Sequence, residues 1–240
     1  TFTFDKAHTM ALVAILGTTI SPYLFFWQAA QEVEEGRRRH IKPLMTAPYR
    51  AKSEIKRIRT DTLIGMAVSS LVGIAIIFAT AATLHASGVT HIETSAQAAQ
   101  ALLPIAGEFA FALFALGIIG TGLLAVPVLA GAAAYAVSEV FGWTESLEAR
   151  PSEARAFYTT IAVATLGGVA LTFIGLNAVR ALYWAAVVNG VLAAPVMAVM
   201  MLIARNKAAM GGMVLSRGLT IGGWLATAVM AAASVLFFVI

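Results

Sequence analysis

The sequence predicts an all-α integral membrane protein with six transmembrane helices, and three observations carry that class. The first is composition. Of the 240 residues, 60% are hydrophobic and 12% are charged, and mean hydropathy is +0.85; soluble domains carry about twice that charged fraction. The second is the gathering of apolar residues into six runs, over about 10–31, 62–85, 105–141, 157–176, 182–204 and 219–240. Each can form a membrane crossing, which takes roughly 20 helical residues. Only helices and closed barrels satisfy the backbone in hydrocarbon, and the alternating segments of a barrel are absent. The third is the placement of cations. Nine of the 16 Lys and Arg fall between the first two runs: Arg37, Arg38, Arg39, Lys42, Arg50, Lys52, Lys56, Arg57 and Arg59. Arg150 and Arg155 follow the third run, and Arg205, Lys207 and Arg217 follow the fifth. The stretch 86–104 has none, and the turn after the fourth run has only Arg180. Fourteen of the 16 thus share one side, which the positive-inside rule makes cytoplasmic, with both chain ends on the other.

Residues 1–240 read as one transmembrane helical domain, with 33–60 a cytoplasmic basic loop within it. The basic loop follows from topology, although such a cluster could also bind anionic lipid or a partner. The net charge of +4 is therefore no nucleic-acid signal. With no cysteine, disulfides and thiolate metal sites are excluded. The chain starts at Thr1 rather than Met, which reads as an upstream segment removed or left out. No charged segment with a cleavage site precedes the first run, so no signal peptide is expected.

The first run contains the most informative stretch, Gly17-Thr18-Thr19-Ile20-Ser21-Pro22-Tyr23-Leu24-Phe25-Phe26-Trp27-Gln28. Pro22 has no N–H to donate, and its ring clashes with the preceding turn. Gly17, Thr18, Thr19 and Ser21 are weak helix formers. A helix interruption near Ser21 is expected. Inside lipid such an interruption survives only where protein buries it or where it lines a wet cavity. Two readings remain open: a proline kink packed by neighbours, or an ion site built from hydroxyls and freed carbonyls.

After the second run, His85, His91 and Glu93 could bind a metal, but their spacing matches no tight ligand pattern and ordinary solvated residues explain them. The third run holds Gly117, Gly120, Gly122, Pro127 and Gly131, small residues that permit close helix packing, with a bend expected at Pro127. Glu108 and Glu139 lie near its ends, Glu139 within reach of water or Arg155. Intramembrane acids often relay protons, but these two are terminal. In the fifth run, Asn189 sits within Val187-Val188-Asn189-Gly190-Val191. An unpaired amide there costs several kcal/mol, so Asn189 is expected to bond a neighbouring helix or to reach an ion. The sixth run opens with Gly218 and Gly222 at GxxxG spacing, which permits a close helix contact there, with packing within the chain the default and a dimer face the alternative. Trp143, Tyr158, Tyr183 and Trp184 fall at expected interfaces.

The 17–28 stretch resembles the discontinuous sixth helix of the NRAMP divalent-metal transporters, and looks nearest to a bacterial NRAMP-related branch with magnesium-carrying members. Typical members have Met-Pro-His where this chain has Ser21-Pro22-Tyr23. The resemblance runs through the remaining helices and covers essentially the whole chain. It implies a LeuT-type architecture of two inverted five-helix repeats, each opening on a broken helix. This chain would be the second repeat plus one helix, with its first helix discontinuous. The first repeat, whose Asp-Pro-Gly-Asn motif supplies a charged ligand, would be the missing N-terminal half and the necessary partner. The resemblance also aligns Asn189 with a glutamine that helps enclose the metal.

The expected function is transport of divalent cations, Mg²⁺ or Mn²⁺, by alternating access across a bacterial inner membrane. Thr18, Ser21 and Asn189 are the candidate metal ligands, with Thr19, Tyr23 and Gln28 behind them. Oxygen donors suit Mg²⁺ and Mn²⁺, and Ser21 removes the soft thioether that favours softer ions. Tyr23 stands where typical members have a histidine, and a phenol with pKa near 10 exchanges protons poorly at neutral pH. The metal is substrate, and no cofactor is expected. The alternatives are a LeuT-type carrier of amino acids or other organic solutes, and a non-transporting membrane subunit. Nothing points to an enzyme: there is no phosphate loop and no His-Glu-x-x-His pattern.

Overall fold

The structure is a computed structural model that describes residues 6–86, 88, 89 and 91–239, with the side chains of residues 6, 7 and 105 outside the description. Thr1 and Ile240 also lie outside it. The described residues form helices and no strand. In chain order they are α1 (Lys6–Ile20), α2 (Tyr23–Arg38), α3 (Ala51–Thr80), α4 (Ser95–Ala99), α5 (Leu103–Ala106), α6 (Ala110–Phe141), α7 (Arg155–Phe173), α8 (Ala178–Arg205), α9 (Lys207–Met210) and α10 (Arg217–Val239). One π-helical turn, Ala81–His85, extends α3.

Six stretches among the described residues are long and apolar enough to cross a membrane: His8–Arg38, Pro48–His85, Gly107–Phe141, Arg155–Phe173, Ala178–Arg205 and Arg217–Val239. They coincide with the six apolar runs, and the chain is an integral membrane protein. Their outward faces carry Leu71, Phe78, Leu116, Leu123, Leu124 and Leu166, all exposed, as lipid contact requires. The basic stretch is more helical than a loop over 33–60: α2 continues to Arg38 and α3 begins at Ala51.

The chain divides into two compact units, one of residues 1–58 with 182–240 and the other of residues 59–181. In the first, α1 packs on α8 and α10. Val13 and Ala14 meet Val187, with Ala233 and Phe237 closing the cluster. Leu16 and Ile20 pack with Ala193, Ala194 and Met230. Residue numbers rise together along α1 and α8 and fall along α10. That is the order expected of a first, a fifth and a sixth span. At the crossing, the backbone at Gly17 lies against the Ala186 carbonyl and the Gly190 N–H, and Gly190 lies against the Val13 carbonyl. Ser234 ties α10 in, its hydroxyl donating to the Met230 carbonyl at 2.8 Å and to the Gly190 carbonyl at 3.3 Å.

The same unit holds the turn from α2 to α3. The Ile41 N–H bonds the Gly36 carbonyl at 2.8 Å and the His40 N–H bonds the Arg37 carbonyl at 3.0 Å. This is a Schellman stop with His40, at φ 52°, in the left-handed position that glycine usually takes. Beyond it, Arg57 pairs with Glu32 at 2.6 Å and Glu54 at 3.1 Å, and Arg39 pairs with Glu54 at 3.4 Å and Glu35 at 3.6 Å.

In the second unit, α6 packs along α7. Phe157, fully buried, meets the edge of Tyr135 at 4.8 Å between ring centres. The 142–154 connection is pinned by two tyrosines. The Leu147 N–H donates to the Tyr135 hydroxyl at 3.2 Å, and the Tyr158 hydroxyl donates to the Leu147 and Ala149 carbonyls at 3.1 and 3.0 Å. Thr94 and Gln97 form a capping box at the start of α4, and Asn177 donates to the Glu93 carbonyl at 2.9 Å.

Several expectations about small residues need correction. Gly218 and Gly222 make no close helix contact among the described residues; a Cβ at either would meet open space. The approach is made one residue later, where Gly223 receives the Met201 side chain. Gly117, Gly120 and Gly122 likewise face open space. Apart from these glycines, Pro127 lies inside one helix from Ala110 to Phe141, an assignment that a bend there leaves unchanged.

Candidate functional site

The site is built around the junction of α1 and α2. Ser21 takes φ +39°, and Pro22 begins the next helix with φ −59° and ψ −26°. Both residues are buried. The Ser21 N–H still closes the last α-turn on the Gly17 carbonyl at 3.0 Å. Pro22 then offers no donor to the Thr18 carbonyl, and the Ser21 hydroxyl fills that place, donating at 2.7 Å. The next N–H groups reach back only three residues, Leu24 to Ser21 at 2.9 Å and Phe25 to Pro22 at 3.2 Å. Leu24 is the residue that would have served the Ile20 carbonyl, so the helical ladder does not cross the junction.

Local composition explains why the chain leaves the helix here. A residue before proline is pushed out of the right-handed helical region. At Pro22 that push falls on Ser21, and the hydroxyls of Thr18, Thr19 and Ser21 offer the backbone other partners. At Pro195 it falls on Ala194, which follows Val191, Leu192 and Ala193 without a hydroxyl among them, and α8 runs through unbroken.

The structure brings some of the expected ligands together. Gly17, one turn before Ser21, touches Gly190, the neighbour of Asn189. Thr18 and Ser21 thus lie on α1 and Asn189 on α8, the two helices that cross at Gly17 and Gly190, with the Ser21 end of α1 level with Ala193 and Ala194. Ser21 is 5% exposed, Asn189 is half-buried, and Thr18 and Thr19 are exposed. The Thr19 hydroxyl donates to the Ile15 carbonyl at 2.8 Å, leaving its lone pairs available. Tyr23 is half-buried in the first turn of α2. Gln28 is not brought to the junction: it is exposed and seven residues beyond Ser21, about 10 Å along the axis at 1.5 Å per residue.

Among the described residues no three His, Asp or Glu side chains gather in a way that could hold a metal. His85, His91 and Glu93 therefore form no such centre, and Glu139 makes no ion pair with Arg155 among those residues. The donors at the junction are neutral oxygens: hydroxyls, carbonyls and an amide. They can replace part of the hydration shell of a hard cation without neutralising its charge. Sequence reasoning overlooked the Ile20 carbonyl and the Gly17–Gly190 contact. The glycine beside Asn189 was the available signal for the latter. It also overlooked Glu34, buried at 8% exposure on α2; its setting among Glu32 and Glu35 reads as a solvated face.

The sequence is similar to known transporters. A divalent metal cation transporter MntH of Deinococcus radiodurans is 29% identical over 122 residues, 50% of this chain and 26% of the relative. One of Aeromonas hydrophila, also a divalent metal cation transporter MntH, is 27% identical over 109 residues, 45% of this chain and 24% of the relative. The matched part of the chain spans about a quarter of the length of these curated relatives. Over residues 1–240 the sequence matches the family model Nramp, described as natural resistance-associated macrophage protein-like, and the chain belongs to that family.

Proposed function

We propose that this chain forms the second half of a transporter that carries a divalent cation, Mg²⁺ or Mn²⁺, by alternating access across a bacterial inner membrane. The supporting relatives are named divalent metal cation transporters. The observation that carries the reading is the junction itself. A buried serine at φ +39° beside a buried proline interrupts the helical ladder within an apolar stretch, against the helix that bears Asn189. In a LeuT-type fold of inverted repeats this would be the discontinuous helix at the ion site. Thr18, Ser21 and Asn189 would supply oxygens, with Thr19 and Tyr23 around them and Gln28 further along. The charged ligand would come from an N-terminal half with its own broken helix, since the junction holds no carboxylate. The basic α2–α3 end would face the cytoplasm.

Selectivity follows from ligand softness. Ser21 gives a hard oxygen and leaves room for retained water, which Mg²⁺ gives up reluctantly. The test is uptake by proteoliposomes containing the complete transporter. Ser21→Met should move preference from Mg²⁺ towards Mn²⁺ and Cd²⁺, because a thioether binds soft ions. Asn189→Ala should lower uptake of all three ions together. An unchanged ion order in Ser21→Met would remove Ser21 from the ion path and reduce the junction to a packing kink.

A further inference from the structure

The end of the first unit, where α2 turns into α3, holds a feature that the transport reading does not use. A cavity of about 440 Å³ opens there, with Arg37, Arg39, Lys42 and Arg57 among its lining residues. Two of these cations are already matched. Arg57 is held by Glu32 and Glu54, and Arg39 by Glu54 and Glu35. Arg37 and Lys42 have no ion-pair partner among the described residues. The Schellman stop at His40 turns the chain back so that Lys42 and Arg37 line one cavity. The cavity therefore keeps two uncompensated cations on a frame braced by ion pairs.

The lining also includes the apolar Val33, Ile41, Leu44 and Ile58. A free inorganic anion gains nothing from such a wall, whereas the glycerol and first acyl carbons of a lipid do. Depth agrees. The apolar run of α3 begins near Thr62, five residues after Arg57, about 7 Å along the helix at 1.5 Å per residue. That is the thickness of one headgroup layer, given a hydrocarbon core of about 30 Å within a bilayer of 40–45 Å. We propose that the cavity between the end of α2 and the start of α3 binds the phosphate headgroup of an anionic membrane lipid, with Arg37 and Lys42 on the phosphate and Val33, Ile41 and Leu44 against the glycerol and upper acyl chain.

The test uses the full-length protein in detergent and reads its thermal unfolding midpoint during titration with dioleoylphosphatidylglycerol, dioleoylphosphatidylcholine or sodium phosphate. Phosphatidylglycerol should raise the midpoint saturably, and the other two should not at equal concentration. The double variant Arg37→Gln/Lys42→Gln should move the half-saturating phosphatidylglycerol concentration up roughly 25-fold, from about fivefold for each cation near an anionic lipid. Gly36 also lines the cavity, and a Cβ there meets nothing within 4 Å. Gly36→Leu should therefore fill the cavity without disturbing the helix and weaken binding in the same way. Arg205→Gln/Lys207→Gln, on the same basic side of the chain, should leave binding unchanged. The proposal falls if the Arg37/Lys42 variant binds phosphatidylglycerol like the parent, or if phosphatidylcholine is equivalent. It falls equally if the Arg205/Lys207 variant weakens binding as much, which means diffuse attraction, or if sodium phosphate alone reproduces the shift, which means a free-anion site. None of these readouts depends on transport.

Discussion

Gly17 and Gly120 lie in similarly apolar helices of the two units, and their surroundings differ completely. At Gly17 the backbone of α8 is so near that any Cβ would collide with the Ala186 carbonyl and the Gly190 N–H. At Gly120, and at Gly117 and Gly122 beside it, a Cβ would meet nothing within 4 Å. Helix α1 needs its glycine because two backbones meet there; α6 presents Gly117, Gly120 and Gly122 to open space. Glycine in a membrane helix therefore marks an approach of two backbones only when the facing helix is also small at that level. Gly190 supplies that condition for Gly17, and residues of the second unit do not for Gly120.

Substitution can break this comparison or sharpen it. Gly17→Val should have the largest effect, a loss of about 3 kcal/mol or more, because the clash is with backbone atoms that cannot rotate away. It is measured as a fall in the unfolding midpoint in detergent. A tolerated valine would mean that α1 and α8 separate easily and that the crossing does not organise the first unit. Ser21→Ala should come next, with a loss of about 1 kcal/mol, since it removes the 2.7 Å hydrogen bond from a partly buried carbonyl that Pro22 cannot serve. Gly223→Ala should cost less than about 1 kcal/mol. Its neighbour is the far end of Met201, and an unbranched thioether chain can move aside. Gly120→Ala should reverse the sign and stabilise by about 0.5–1 kcal/mol, the helix-propensity difference between the two residues. If Gly120→Ala destabilised the protein as Gly17→Val does, the open space at α6 would be filled in the intact molecule and the contrast between the units would disappear.

The prolines repeat the comparison on the backbone. Pro127 and Pro195 sit inside continuous helices, whereas α1 stops at Ile20, just before Ser21 and Pro22. The residues before Pro127 are Leu, Ala and Val, and those before Pro195 include two alanines; none has a side chain that competes for backbone partners. Ser21 has one, and it supplies the bond that the proline removes.

What the sequence determined by itself was whatever depends on short-range chemistry and bulk hydrophobicity. Six apolar runs of sufficient length appear as six helical spans because hydrocarbon leaves the backbone no other open-chain solution. The departure of the backbone from helical geometry at Ser21 was legible because proline acts on its own turn. What the tertiary structure decided was which residues meet. GxxxG spacing pointed to Gly218 and Gly222, yet Met201 approaches Gly223; the expected 33–60 loop is largely the two ends of α2 and α3. Helix α1 meets α8 through Gly17 and Gly190, residues 173 positions apart, and no local pattern records that register. Small residues are necessary for close approach but do not choose a partner. That choice rests on the facing helix, and it is made only when the helices pack.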